Sequence, residues 1–75
     1  MSNIENNVDE LMKNEVFKLI DDIGNELTVS AKESINFIQG NNSAGTRVRK
    51  AMQNIKSLAQ QVRLKVQEQK NSVTA

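Results

Sequence analysis

The sequence predicts an all-α fold: an antiparallel two-helix hairpin that self-associates into a homodimeric four-helix bundle. Apolar residues recur at three- and four-residue steps through both halves, the spacing of one face of a helix. One cluster of small residues, Gly40-Asn41-Asn42-Ser43, separates the two stretches. The apolar face of the first stretch is too wide for a simple two-stranded seam, because Phe17, Ile20 and Phe37 broaden it, and such width suits a bundle.

The first helix is expected over about residues 4–39. Ile4, Val8, Leu11, Met12, Val16, Leu19, Ile23, Leu27, Ala31, Ile35 and Ile38 form its stripe. Ser2 and Glu5 have the spacing of a capping box, in which the hydroxyl takes the third amide and the carboxylate reaches back. Gly24 weakens a helix interior by about 1 kcal/mol relative to Ala. With Thr28, Val29 and a second capping pattern at Ser30 and Glu33, it marks residues 24–30 as the place for a kink. The unbroken stripe favours one helix.

A turn over 40–45 follows, since Gly and Asn tolerate the left-handed conformation at a helix C-terminus. Ser43, or alternatively Thr46, can cap the next helix. That basic helix runs over about 46–70, with a frayed tail at 71–75, completing a single hairpin domain over 1–75. Val48, Ile55, Val62 and Gln69 recur every seven residues, as do Met52, Ala59 and Val66. Residue 39 opposite about 46 places 71 opposite about 14. Ile4, Val8 and Leu11 then project beyond the second helix, and a two-helix core buries each stripe on one side alone. Both features predict a homodimer or higher oligomer.

Seventy-five residues sit near the lower limit for an independently stable core. The sequence has no Cys or His, and no Trp or Tyr, so it offers no thiol nucleophile, zinc ligand set or imidazole base. No catalytic residue, metal, cofactor or small-molecule substrate is expected, and the chain is not read as an enzyme. Asp21 and Asp22 are sequence neighbours and diverge on a helix, which argues for a solvated face over acid–base chemistry. Gly40 and Gly45-Thr46 lack the Lys-Ser/Thr and the preceding strand of a phosphate-binding loop, and turn geometry accounts for both glycines. No apolar run reaches the roughly 20 residues of a membrane span, so a cytoplasmic location without membrane contact is expected.

Charge is divided along the chain. Residues 1–39 carry three Lys against eight Asp or Glu, a net −5; residues 40–75 carry seven Lys or Arg against one Glu, a net +6. Such asymmetry points to a polyanionic partner, to internal complementarity, or to both. Arg49, Lys56, Arg63 and Lys70 repeat every seven residues and form a positive ridge beside the apolar stripe. Arg47 and Lys65 flank the other side, and Lys50 points away from the core. The ridge either meets a partner's phosphates or pairs with the acidic first helix. Cations at a helix N-terminus oppose its dipole, which favours Thr46, Arg47, Arg49 and Lys50 as phosphate contacts, with the amides of residues 44–47 in support.

Residues 40–71 resemble the bacterial linker-histone-like nucleoprotein family of the chlamydial histone-like type. The resemblance rests on Gly40, Asn41, Ala44, Gly45, Thr46, Arg47, Arg49 and Lys50. It continues through Ala51, Gln53, Ile55, Lys56, Leu58, Ala59, Gln60, Val62 and Arg63. Asn42 stands where the family pattern has Lys. The resemblance implies a small helical protein that binds double-stranded DNA and compacts the nucleoid. Thr46, Arg47, Arg49, Lys50, Lys56 and Arg63 are the candidate DNA-binding residues, reading phosphates without sequence preference. The alternative is an oligomeric helical interaction module whose opposite charges specify its own assembly or a protein partner.

Overall fold

The computed structural model describes residues 4–74, with side chains from 8 to 72. The described residues are all-helical: α1 (Ile4–Met12), α2 (Glu15–Ile38) and α3 (Asn42–Thr74). The Ser2–Glu5 capping box lies outside the described side chains. The first helix expected over 4–39 is therefore two helices, and the break falls at residues 13–14. Lys13 and Asn14 donate their amides only three residues back, to Glu10 and Leu11, which tightens and ends α1. Asn14 is extended (φ −62°, ψ 139°), and its side chain accepts from the Val16 amide at 2.8 Å, capping α2. The same side chain exchanges two 3.2 Å bonds with the Gln69 amide group, tying the start of α2 to α3.

The helix is unbroken through Gly24. Thr28 Oγ1 donates to the Gly24 carbonyl at 3.0 Å and Ser30 Oγ to the Glu26 carbonyl at 2.7 Å. Both hydroxyls are thus satisfied inside α2 and leave no cap to interrupt it. Glu33, the acid of the expected second capping box, turns toward α3 instead.

The connection is shorter than the expected 40–45. Gly40 adopts φ +110°, donates to the Phe37 carbonyl, and is followed by Asn41 donating to Asn36, the paired bonds of a Schellman terminus. Asn41 then caps α3, its side-chain oxygen accepting from the Ala44 amide at 3.1 Å. One residue closes α2 and opens α3, so Ser43, Gly45 and Thr46 lie within α3. Gly45 is accordingly a packing glycine. A Cβ there would sit 2.6 Å and 2.8 Å from Cδ1 and Cε1 of Phe37.

Bonds between Asn14 and Gln69, Glu15 and Lys65, Glu26 and Asn54, and Glu33 and Arg47 run in opposite order along α2 and α3. The two helices are therefore antiparallel neighbours, about two to five residues off the register expected from the sequence. Val16, Leu19 and Ile23 face Leu58, Val62 and Lys65 at the open end, all partly covered. Toward the connection the seam narrows to small residues, with Ser30, Ala44 and Ala51 buried. Small side chains let the backbones approach, and the Ser30–Glu26 bond keeps the buried hydroxyl paired. The seam column is Ala51, Leu58 and Lys65; Met52, Ala59 and Val66 lie one step round the helix and are exposed. α1 touches α2 and not α3, leaving Val8 45 % and Leu11 68 % exposed. The Cα trace measures 52 × 31 × 11 Å. It is a slab one helix thick, with both broad faces open.

Candidate nucleic-acid interface

The seam has two unlike edges, and they decide where charge can act. Along one edge, polar groups cross from α2 to α3. Arg47 Nε donates to Glu33 Oε2 at 2.6 Å and its Nη2 to Oε1 at 3.1 Å, a two-pronged pair. Asn36 Nδ2 donates to the same carboxylate at 3.3 Å, and Asn54 Nδ2 reaches Glu26 at 3.4 Å. Lys65 Nζ lies 2.7 Å from Glu15 and 3.1 Å from Glu68. The opposite edge is apolar, with Phe17, Ile20, Leu27, Met52 and Val66 exposed along it.

These pairs shift both partners. The hydrogen bond from Arg47 holds the Glu33 carboxyl below its ordinary 4.5, against some desolvation, and the same bond raises the guanidinium. The bond from Lys65 lowers Glu15, and Glu15 followed by Glu68 raises Lys65. A carboxylate depressed in the folded state contributes stability that is complete above its unfolded pKa and lost as pH falls through the folded one. Thermal unfolding should therefore be level near neutrality and move to lower temperature below about pH 4.5. The double variant Glu15→Gln, Glu33→Gln should lose much of that dependence. Equal melting temperatures at about pH 7 and about pH 3 in the parent chain would contradict the pairing.

The candidate residues fall into two groups. Arg47 and Lys65 are held by acids along the polar edge. α3 begins at Asn42, so Arg47 and Lys50 stand beyond its first turn and the dipole argument for them weakens. The amides of 45–47 lie inside the helix, where each bonds the carbonyl four residues back. Thr46, Arg49, Lys50, Lys56 and Arg63 are exposed on the outer side of α3. Among the described residues, those four cations have no ion pair. Arg49, Lys56 and Arg63 stand in a row at about 10 Å intervals along the axis. Lys70 continues the row and has an interaction of its own. The row of Arg49, Lys56 and Arg63 bears no acid, since Glu68, the one acid in 42–74, lies round the helix on the side of Lys50 and is bound to Lys65. The ridge is therefore not spent on the acidic helix α2, which turns Glu15, Glu26 and Glu33 toward the other edge.

The sequence alone does not reveal the partner of Arg47. The available signal is Glu33, placed fourteen residues before Arg47 across a short connection. Among the described residues no helix is long and apolar enough to cross a membrane, and no group of acids could hold a metal ion.

No curated protein and no solved structure shows significant similarity to the chain. Residues 14–72 match the family of the histone H1-like protein Hc1. That span takes in all of α2 and most of α3, well beyond the 40–71 stretch that carries the sequence resemblance. With 59 of its 75 residues inside the match, the chain belongs to the histone H1-like Hc1 family.

Proposed function

We propose that the protein binds duplex DNA in the bacterial nucleoid through the outer side of α3, without sequence preference, and compacts it as a homodimeric helical bundle. The observation that carries this reading is the acid-free row of Arg49, Lys56 and Arg63, with Lys50 beside it, in a chain of a histone-like family. Four exposed cations without acidic partners can each displace a counterion from a phosphate, which supplies affinity and no base reading. Thr46 adds a hydroxyl at the upper end of the row. Arg47 contributes only if it leaves Glu33, so it ranks below the other four.

Nothing on this surface reads bases. The chain has two aromatic residues, both Phe, and both lie in α2, so the outer side of α3 carries none. Stacking on single strands, which needs aromatic platforms, is not expected. The outer side of α3 instead alternates its cations with Gln53, Ser57, Gln60 and Gln67, which can hydrogen-bond phosphate or sugar oxygens of any sequence.

The test is binding of a labelled random-sequence duplex followed by fluorescence anisotropy at about 50 mM salt, where phosphate interactions are strong. Saturable binding at micromolar protein or below is the expected result. No binding there to any duplex would favour the interaction-module reading, in which the open apolar edge is the working surface.

A further inference from the structure

We infer that a second copy of this chain docks on the apolar edge of the α2–α3 pair, with Gly24 at the point of closest approach. This deepens the assembly part of the reading above by naming the face, and it is tested without DNA.

Two observations point to that occupant. The first is area. A compact monomer of 8.4 kDa exposes about 4,600 Å² by the scaling of folded monomers, whereas this chain exposes 6066 Å². The surplus is about 1,500 Å² per chain, part of it on α1, which touches α2 alone. Two chains that each hid about two thirds of it would bury about 2,000 Å², the lower end of obligate homodimers. The second is shape. Phe17, Gly24, Ala31 and Ile38 recur every seven residues along α2, large at the ends and small in the middle, a saddle into which a helix can settle. Gly24 has nothing within 4 Å of the position a Cβ would take. The fold of one chain gives no reason for a glycine in mid-helix, and a second helix packed there does.

A slab 11 Å thick doubled in this way becomes a four-helix bundle closed by a two-fold axis. The polar edge, already bridged by Glu33–Arg47 and Glu15–Lys65, stays outside. The cationic rows of both chains then rim one rigid body, so the phosphate-binding surface is built from two copies.

Sedimentation of the full chain reads this directly. The parent protein should be a dimer at micromolar concentration. Gly24→Leu, which meets open space within one chain, should raise the dimer dissociation constant by about 30-fold or more, the scale of disrupting a central hot spot. Asn25→Leu, on the opposite broad face, should leave it unchanged. Because a separated chain with so thin a core can unfold, thiol labelling gives a second readout. The chain has no native Cys, so Gly24→Cys and Asn25→Cys each carry one reactive group. Gly24→Cys should be protected at concentrations where the dimer forms, and Asn25→Cys should react freely throughout. A monomeric parent protein, or equal labelling at both positions in a dimer, overturns the inference. A monomer that still binds duplex DNA would remove the docking face alone, and a dimer of this kind that binds no DNA would remove the functional reading alone.

Discussion

Ile23→Asp is expected to abolish the helical circular-dichroism signal at about 25 °C. Ile23 lies in the seam of α2, partly covered, and the antiparallel register sets it opposite Leu58. The substitution removes an apolar side chain whose full burial would be worth about 1.5–3 kcal/mol. It also sets a carboxylate in a partly covered apolar stretch of the seam, at a further cost of about 1–3 kcal/mol. A chain of this length holds about 4–11 kcal/mol in all, from about 0.05–0.15 kcal/mol per residue. The loss therefore reaches most of the total. Asn25→Asp, two residues away on the exposed side of α2, should change stability by less than about 0.5 kcal/mol. Retained helix in Ile23→Asp, or equal losses in both variants, would show that the seam lies on a different face.

The second large effect is functional. Replacing Arg49, Lys56 and Arg63 together with Ala should weaken duplex binding by about 100-fold at low salt, taking about 1 kcal/mol for each phosphate interaction removed. None of the three pairs with an acid among the described residues, so the helix signal and melting temperature should stay close to those of the parent chain. Arg47→Ala should behave the other way round. It breaks the two-pronged pair with Glu33 and so should lower the melting temperature more than it lowers DNA affinity. Comparable DNA effects from Arg47→Ala and from the triple variant would return Arg47 to the phosphate-binding group.

Much of this is legible in the residues, and each shortfall has a physical cause. The seven-residue recurrence of Val48, Ile55 and Val62 marks one column of the α3 seam correctly. The second column is easily misassigned, because Met52, Ala59 and Val66 are as apolar as Ala51 and Leu58, while Lys65 hides a seam position behind a charge. A basic residue is tolerated there because Glu15 and Glu68 meet it. The break at residues 13–14 is masked by the step from Met12 to Val16, which keeps helical spacing across the gap. Asn14 is the cue, an N-cap side chain followed by an acid in the first turn. Composition makes the connection look too long because Asn41 serves two helices at once. The dipole argument for Arg47 holds only when α3 is taken to start about four residues late. The ridge of Arg49, Lys56 and Arg63 is visible from its period, yet only the paired packing of α2 and α3 separates it from the acids of α2.

The measurement that bears most directly on the central claim is the dependence of duplex affinity on salt, taken on one AT-rich and one GC-rich sequence. If binding rests on Arg49, Lys50, Lys56 and Arg63, log affinity should fall linearly with log salt at a slope of about −3.6 for the four cations of one chain. It should approach about −7 where two chains engage the same duplex. The two sequences should give the same line, and the triple Ala variant should flatten the slope by about 0.9 for each phosphate no longer neutralised. A slope shallower than about −1, or a preference for one sequence above about tenfold, would contradict a phosphate-reading surface on α3.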